Sequence, residues 1–412
     1  PLLFLVVFAI MFSCIPLYRR VQGRLDGVLG AAKENLSGVR VIRAFGKERQ
    51  ETESFEEKSG ELLSSQLFVG KISALLNPVT YVMINLAIIA VLRVGGGQVY
   101  KGILTQGQVL ALYNYMSQIL VELIKMANLI LSMTKAAASA KRVSAILALE
   151  SSLDAPQTAP SEPESAPAVE FQNVTFTYPT GGAPALSGIS FTLPRGKTLG
   201  IIGGTGSGKS TLVSLIPRFY DVQEGTVLVD GCDVKDYPLE TLRRKIGLVP
   251  QKALLFKGTI RENLLWGNED ATDDELRQAL TAAQALDVVN AKPAGLDEPV
   301  ETGGRNFSGG QRQRLTIARA LVRKPELVIL DDSASALDFA TDAALRKALR
   351  KLSWNPAVVI ISQRTASIRF ADEILVLDDG KPAGLGTHDE LLKTSDVYRE
   401  IYDSQFKKED AK

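Results

Sequence analysis

Two stretches of the chain carry side chains whose types and spacing can do chemistry. The first is Leu327–Asp338, LVILDDSASALD, where an aliphatic run ends in the paired carboxylates Asp331 and Asp332, with Asp338 close behind. Carboxylates at the end of a buried strand are costly unless a cation or basic group sits beside them. The pair therefore reads either as a metal or phosphate site or as two solvated aspartates at a strand end. The second stretch is Gly203-Gly204-Thr205-Gly206-Ser207-Gly208-Lys209-Ser210-Thr211, between the apolar run Thr198–Ile202 and a helical pattern that begins at Leu212. It fits G-x-x-x-x-G-K-[ST] in the required strand–loop–helix context. Glycines there let backbone N–H groups curl around phosphate oxygens at the positive end of a helix. Lys209 would reach the β- and γ-phosphates, and the Ser210 hydroxyl would sit on Mg²⁺. With that loop present, Asp331 becomes the second Mg²⁺-side group, and Asp332 the residue that polarises an attacking water.

These side chains need a scaffold, and the pattern around them supplies one. Strands are predicted at Val169–Phe176, Thr198–Ile202, Thr226–Val229, Gly247–Val249, Leu327–Leu330 and Ala357–Ile361, alternating with helical segments. This is an α/β domain over 169–404, followed by a tail at 405–412. Within it, Ser308-Gly309-Gly310-Gln311 opens a further helical stretch, and a Ser-Gly-Gly at a helix start is a second anion cradle. Ahead of the domain, residues 150–168 carry Pro156, Pro160, Pro163 and Pro167 among Ser, Ala and Glu, the composition of a linker.

The first 149 residues differ in kind. Uncharged or nearly uncharged apolar runs at about 1–17, 72–95 and 108–131 predict membrane-spanning helices, with Arg19, Arg20 and Arg24 after the first and Lys135, Lys141 and Arg142 after the third marking cytoplasm. That orientation starts the chain outside, so at least one earlier span is expected. Gly95-Gly96-Gly97 and Gly102 predict the turn between the second and third runs. Between the first two, residues 19–71 predict a helical hairpin with an apolar stripe at Leu25, Val28, Leu29, Ala32, Leu36 and Val39. Its arms would project roughly 35–40 Å at 1.5 Å per residue, with Gly38 and Gly46 bracketing the tip. The third run is polar for a lipid-facing helix. Asn114, Gln118 and Glu122 are candidates for a substrate path, and Glu122 and Lys125 are spaced to pair.

Composition bounds the rest. At 412 residues the chain is long enough for two or three domains, and a formal net charge of +1 provides no field for nucleic acid. The two cysteines, Cys14 and Cys232, lie far apart in unlike contexts, which argues against a disulfide framework. His388 is the single histidine and has no cluster of ligands around it in sequence, so it reads as a local loop or cap contact.

Taken together these motifs resemble the ATP-binding cassette (ABC) transporters, in the exporter type that fuses membrane spans ahead of the cassette. Phe307–Gln311 (FSGGQ) is similar to the family's signature LSGGQ, LVILD to its Walker B strand, Ser335–Asp338 to its D-loop, and Gln251 in VPQ to its Q-loop. Tyr178 is similar to the aromatic that stacks on adenine. The resemblance implies an all-α transmembrane domain followed by an α/β P-loop cassette. It also implies ATP and Mg²⁺ as ligands, with Ser210, Asp331 and Gln251 on the metal side, Gln251 partly through water. A multi-pass location in the cell membrane with a cytoplasmic cassette follows, as does a hydrophobic or amphipathic cargo, drug or lipid. Six spans per half-transporter are implied, three more than this chain carries, so a chain truncated at its N-terminus is expected. Glu34–Glu48 is similar to the coupling region that docks on the partner's cassette, and Glu301 to the loop it touches. Each ATP would lie between one chain's phosphate loop and the other chain's signature, so Ser308, Gly309, Gly310 and Gln311 would meet the ATP of the partner site.

Two positions depart from the family pattern. The catalytic glutamate position holds Asp332, one methylene shorter, and the switch histidine after VVIIS is replaced by Gln363. Glutamine can donate a hydrogen bond but cannot carry charge or shuttle a proton. With FSGGQ intact, this combination predicts one slow site on this chain and one active site completed with a second, different half-transporter. A homodimeric exporter and a nucleotide-binding regulatory subunit without hydrolysis are the alternatives.

Overall fold

The computed structural model describes residues 2–149, 153–163, 165–179, 181–333 and 335–406. The chain divides into two units, Pro1–Glu150 and Ser151–Lys412.

The first unit is helical throughout. Helix α1 (Leu2–Ala44) runs for 43 residues, so the first apolar run and the first hairpin arm are one continuous rod. Helix α2 (Glu48–Ala74) returns beside it. Arg24 fastens the two, donating to Glu61 O at 2.9 Å and pairing with the Glu61 carboxylate at 3.6 Å, while Tyr18 Oη meets Ser73 Oγ at 3.3 Å. The tip lies at Phe45–Lys47. Gly46 takes φ +59°, a conformation that favours glycine, whereas Gly38 sits mid-helix and does not bracket anything. The stripe also needs correction. The half-buried face of α1 is Val21, Leu25, Val28, Ala32 and Asn35, and Leu29, Leu36 and Val39 are exposed. Nothing in the apolar spacing alone distinguishes the face that meets α2 from a neighbouring one.

Helix α3 (Leu76–Tyr100) follows α2 after Leu75, and α4 (Gln106–Leu147) follows a turn at Lys101–Leu104. Gly95–Gly97 stay helical, contrary to the expected turn, and only Gly102 belongs to it. Thr105 and Gln108 close a capping box, which fixes the start of α4. The stretch Glu48–Tyr100 is long and apolar enough to cross a membrane. Large apolar side chains such as Leu86, Ile89, Leu92 and Ile119 face outward. Several side chains of the first and third runs, Asn128 and Lys135 among them, lie outside the described residues, as does Pro1.

The second unit holds twelve strands among the described residues: β1 (Val169–Phe176), β2 (Leu186–Leu193), β3 (Thr198–Gly203), β4 (Glu224–Val229), β5 (Cys232–Asp233), β6 (Ile246–Val249), β7 (Gly258–Thr259), β8 (Pro299–Val300), β9 (Leu327–Asp331), β10 (Ala357–Ile361), β11 (Glu373–Asp378) and β12 (Lys381–Gly386). The main sheet has the order β12-β11-β3-β10-β9-β6 and is parallel except for β12. Strands β3 and β10 are buried along their whole length, which matches their unbroken apolar runs. A second, antiparallel sheet, β2-β1-β4-β5, packs its inner face against one side of the main sheet through Phe171, Phe176, Ile189 and Phe191. Gly258–Thr259 and Pro299–Val300 form a separate two-stranded ribbon.

The linker has no regular structure but is fastened to the second unit. Arg218 donates to Asp154 O at 2.7 Å, Tyr237 to the Glu162 carboxylate at 3.2 Å, and Arg195 to Ala166 O at 3.2 Å. Lys245 reaches Glu162, Asp230 and Glu326 at 2.8–2.9 Å. Burial pulls the Lys245 ammonium down, but those three carboxylates outweigh it and hold its pKa above the ordinary lysine value. Residues 150–152, 164 and 407–412 of the expected linker and tail lie outside the description.

Candidate functional site: a nucleotide cleft at the sheet's carboxyl edge

Strand order builds this site. The neighbours β3, β10, β9 and β6 all end at one edge, with Ile361 in register with both Ile201 and Asp331. The phosphate loop follows β3, Gln363 follows β10, Asp331 and Asp332 end β9, and Gln251 follows β6. Four segments far apart in the chain therefore stand in a row, at the edge where parallel α/β sheets bind ligands. They line a 350 Å³ cleft together with Tyr178, Thr205, Gly206, Gly208, Lys209, Ser210 and Thr211.

The loop is shaped by close approach. Gly208 has φ +91°, and a Cβ there would stand 2.8 Å from Ala185 O and 2.7 Å from a Leu186 methyl, so no larger residue fits. Lys209 opens the helix Lys209–Leu215 and folds back over the loop. Its ammonium donates to Gly203 O at 3.0 Å, Gly204 O at 2.5 Å and Ser207 Oγ at 3.2 Å. Burial pushes its pKa down, opposed by the charges of Asp332 and Asp331. The ammonium and the loop N–H groups are donors that a phosphate chain fits, and the two carboxylates beside them suit the metal that would accompany it.

The two aspartates differ. Asp331 Oδ1 accepts from Ser210 Oγ at 3.2 Å. Burial raises its carboxyl above the ordinary range, the Ser210 hydrogen bond opposes that, and the Asp332 charge adds to it. Asp332 takes φ +46°, the left-handed region that aspartate tolerates better than most side chains. That kink ends β9: its N–H still donates to Ile361 O at 3.0 Å, while its carbonyl accepts from Ser335 N–H at 3.2 Å and Ser335 Oγ at 2.8 Å. Gln251 Nε2 donates to Asp332 Oδ2 at 3.4 Å. Among the described residues no group of three or more His, Cys, Asp or Glu side chains could hold a metal. A Mg²⁺ ion here would draw on Ser210, Asp331 and the nucleotide's own oxygens, which suits its habit of taking one or two carboxylates plus phosphates.

Tyr178 stands at the mouth, its hydroxyl 3.0 Å from Thr211 Oγ1 and its ring edge-on to Phe176 and Tyr220. Gln363 is exposed at the cleft wall. Ser308–Gln311 do not line this cleft. Ser308 caps the helix Gly309–Val322 in a capping box with Gln311, and a Cβ added at Gly309 would meet nothing within 4 Å. Asp338 also lies outside it and caps the helix Phe339–Leu349, accepting from Thr341 N–H at 2.8 Å and Oγ1 at 2.9 Å; these bonds hold its carboxyl below the usual range. Sequence reasoning missed Ala185 and Ile361 in the lining, and no motif marks either. His388 Nδ1 lies 2.7 Å from Tyr398 Oη, a local contact. In the first unit, Asn114, Gln118 and Glu122 are candidates carried by α4, and Glu122 pairs with Lys125 at 2.8 Å.

A phosphate loop, a strand-end aspartate and a Ser-Gly-Gly helix start on one α/β unit define a nucleotide-binding cassette. Comparison with known proteins then gives the family. Residues 186–335 match the family described as ABC transporter, and residues 1–123 match the ABC transporter transmembrane region. An uncharacterized ABC transporter ATP-binding protein of Mycobacterium tuberculosis is 40% identical over 98% of this chain and 70% of its own length. The ATP-dependent lipid A-core flippase of Photobacterium profundum is 34% identical over 94% of this chain and 66% of its own. A solved structure of a bacterial Atm1-family ABC exporter with ATP bound superposes with a TM-score of 0.82 at 28% identity, covering 98% of this chain and 70% of that one. The chain belongs to the ABC transporter family and is an exporter subunit, with a helical transmembrane domain followed by an α/β ATPase domain.

Proposed function

We propose that this subunit binds ATP and Mg²⁺ in the β3–β10–β9–β6 cleft and contributes the slow nucleotide site of a heterodimeric exporter. The carrying observation is the pair of departures at that cleft, Asp332 for the catalytic glutamate and Gln363 for the switch histidine, beside an unaltered FSGGQ. Ser210 and Asp331 would hold the metal, with Gln251 beside them, and the ion would supply positive charge against the phosphates. Asp332 is the base, and a base displaced by about 1 Å can lose on the order of 10²-fold in rate. Gln363 orients the γ-phosphate by hydrogen bonding alone. A partner's complete phosphate-loop side facing this chain's Ser308–Gln311 makes the fast site. The carboxylate kept at 332, within reach of Gln251, favours residual hydrolysis over a purely regulatory role.

The cargo is hydrophobic or amphipathic, drug or lipid, in keeping with a lipid A-core flippase among the relatives. Asn114, Gln118 and Glu122, spaced four apart on one face of α4, line its path. The assembly sits in the cell membrane with the cassette in the cytoplasm. Purified alone, the chain should turn ATP over slowly, and with its partner rapidly. Asp332→Glu with Gln363→His should raise hydrolysis at this site about tenfold or more. Fast turnover by the unaltered chain as a homodimer would overturn the heterodimer reading.

A further inference from the structure

The switch loop at Gln363 is held from outside the cleft. Gln405, on the C-terminal helix Asp396–Phe406, donates through Nε2 to Gln363 O at 2.7 Å and accepts through Oε1 from Thr365 N–H at 2.9 Å. One planar amide thus grips the backbone on both sides of Arg364. Only Asn and Gln carry a donor and an acceptor on one such group, and Asn is a methylene shorter. The grip is firm at both ends. Thr365 is fully buried, and the helix is anchored by Tyr398, also fully buried, whose hydroxyl meets His388 Nδ1 at 2.7 Å. Tyr402 and Phe406 stack beside Gln405 with ring centres 4.6 Å apart. From the opposite side, Arg364 places its guanidinium over the Phe339 ring at 5.4 Å and donates to Ser335 O at 3.5 Å. The short loop is therefore clamped between the segment after Asp332 and the C-terminal helix, while the Gln363 side chain itself remains exposed at the cleft.

We propose that Gln405 is a positioning residue for hydrolysis: its amide sets where the residue-363 side chain stands against the γ-phosphate, so the C-terminal helix tunes the switch. The inference rests on the reading of Gln363 as the switch position. It makes a specific demand on the two hydrogen bonds. Gln405→Glu keeps the acceptor for Thr365 N–H but sets a carboxylate against Gln363 O, which releases the residue-363 side of the loop while leaving Thr365 held.

The test compares four versions of the chain, each assembled with a partner whose own catalytic carboxylate is changed to an amide so that only this chain's site turns over: unaltered, Gln363→His, Gln405→Glu and the double variant. Gln363→His should raise kcat. Adding Gln405→Glu should remove most of that gain, about tenfold, with the KM for ATP little changed, whereas Gln405→Glu alone should alter the slow parent much less. Hydrogen exchange at the Thr365 amide should stay slow in Gln405→Glu and quicken in Gln405→Ala. Equal fold-losses in both backgrounds, tracking a drop in Tm, would reduce Gln405 to a structural contact and overturn the proposal. No gain from Gln363→His, even with Asp332→Glu beside it, would instead defeat the switch assignment, and the proposal with it.

Discussion

The phosphate-loop cleft and the Ser308–Gln311 helix start are both built to meet phosphate, yet they are finished to different degrees. In the cleft, Lys209 is bonded to its own loop, Ser210 to Asp331 and Gln251 to Asp332, so its geometry is set within one chain. The helix start satisfies its own first turn through the Ser308–Gln311 capping box and leaves Gly309 facing open space. The one is a site with its departures built in, and the other is a half-site that gains meaning from what approaches it. Substitutions can therefore damage the first by breaking internal contacts, and the second, at Gly309, without disturbing the fold.

The sharpest way to break the contrast is Lys209→Ala. Lys209, which here bonds three loop oxygens, is the ammonium that would reach the phosphates, so its loss should lower ATP affinity on the order of 100-fold, a charge-assisted hydrogen bond being worth ~1.5–3 kcal/mol. Titration with a fluorescent nucleotide measures it, and retained affinity would deny the cleft its role. Next comes Gly309→Ala. A Cβ there meets nothing within the chain, and alanine favours a helix by about 1 kcal/mol over glycine, so Tm should hold or rise. Turnover of the assembled transporter should nonetheless fall about tenfold, because the methyl stands where phosphate must come close to the helix start. Unchanged turnover would mean that nothing docks on this face. The smallest effect concerns pH. Burial raises the Asp331 carboxyl, and only its ionised form holds a cation, so Mg²⁺-dependent nucleotide affinity should depend on pH. It should weaken a few-fold as pH falls towards that raised pKa, above the pH range where an ordinary aspartate titrates. Asp331→Asn should flatten this dependence while lowering affinity throughout, and an unchanged profile would place the titration elsewhere.

Much of the cleft was legible in the sequence because its parts carry local signals. A glycine-rich loop between strand and helix patterns, and an aliphatic run ending in two acids, each announce themselves within about a dozen residues. All six strands read from the apolar runs are present. Of the strands that were missed, β2 and β12 lack such marks, whereas β11 has one, the aliphatic run Ile374–Leu377 ended by Asp378 and Asp379. Leu186–Leu193 contains Gly188 with φ +65°, and Lys381–Gly386 is an edge strand of mixed character. The hairpin shows the reverse failure. Its apolar stripe was visible, but Leu36 proves 80% exposed, since helical periodicity permits several adjacent faces and only α2 selects one.

The sequence by itself determined which groups this protein brings to phosphate: Lys209, Ser210, Asp331, the shortened Asp332 and the uncharged Gln363. Side-chain chemistry needs no fold to be read. Tertiary structure alone decided their company. The order β3-β10-β9-β6 differs from the order of those strands in the chain, and it is hydrogen bonding between strands that sets Gln251 beside Asp332 across 81 residues. The same holds for Gln405, which has no motif and gains its place only because the packing of Tyr398 brings the C-terminal helix against the switch loop.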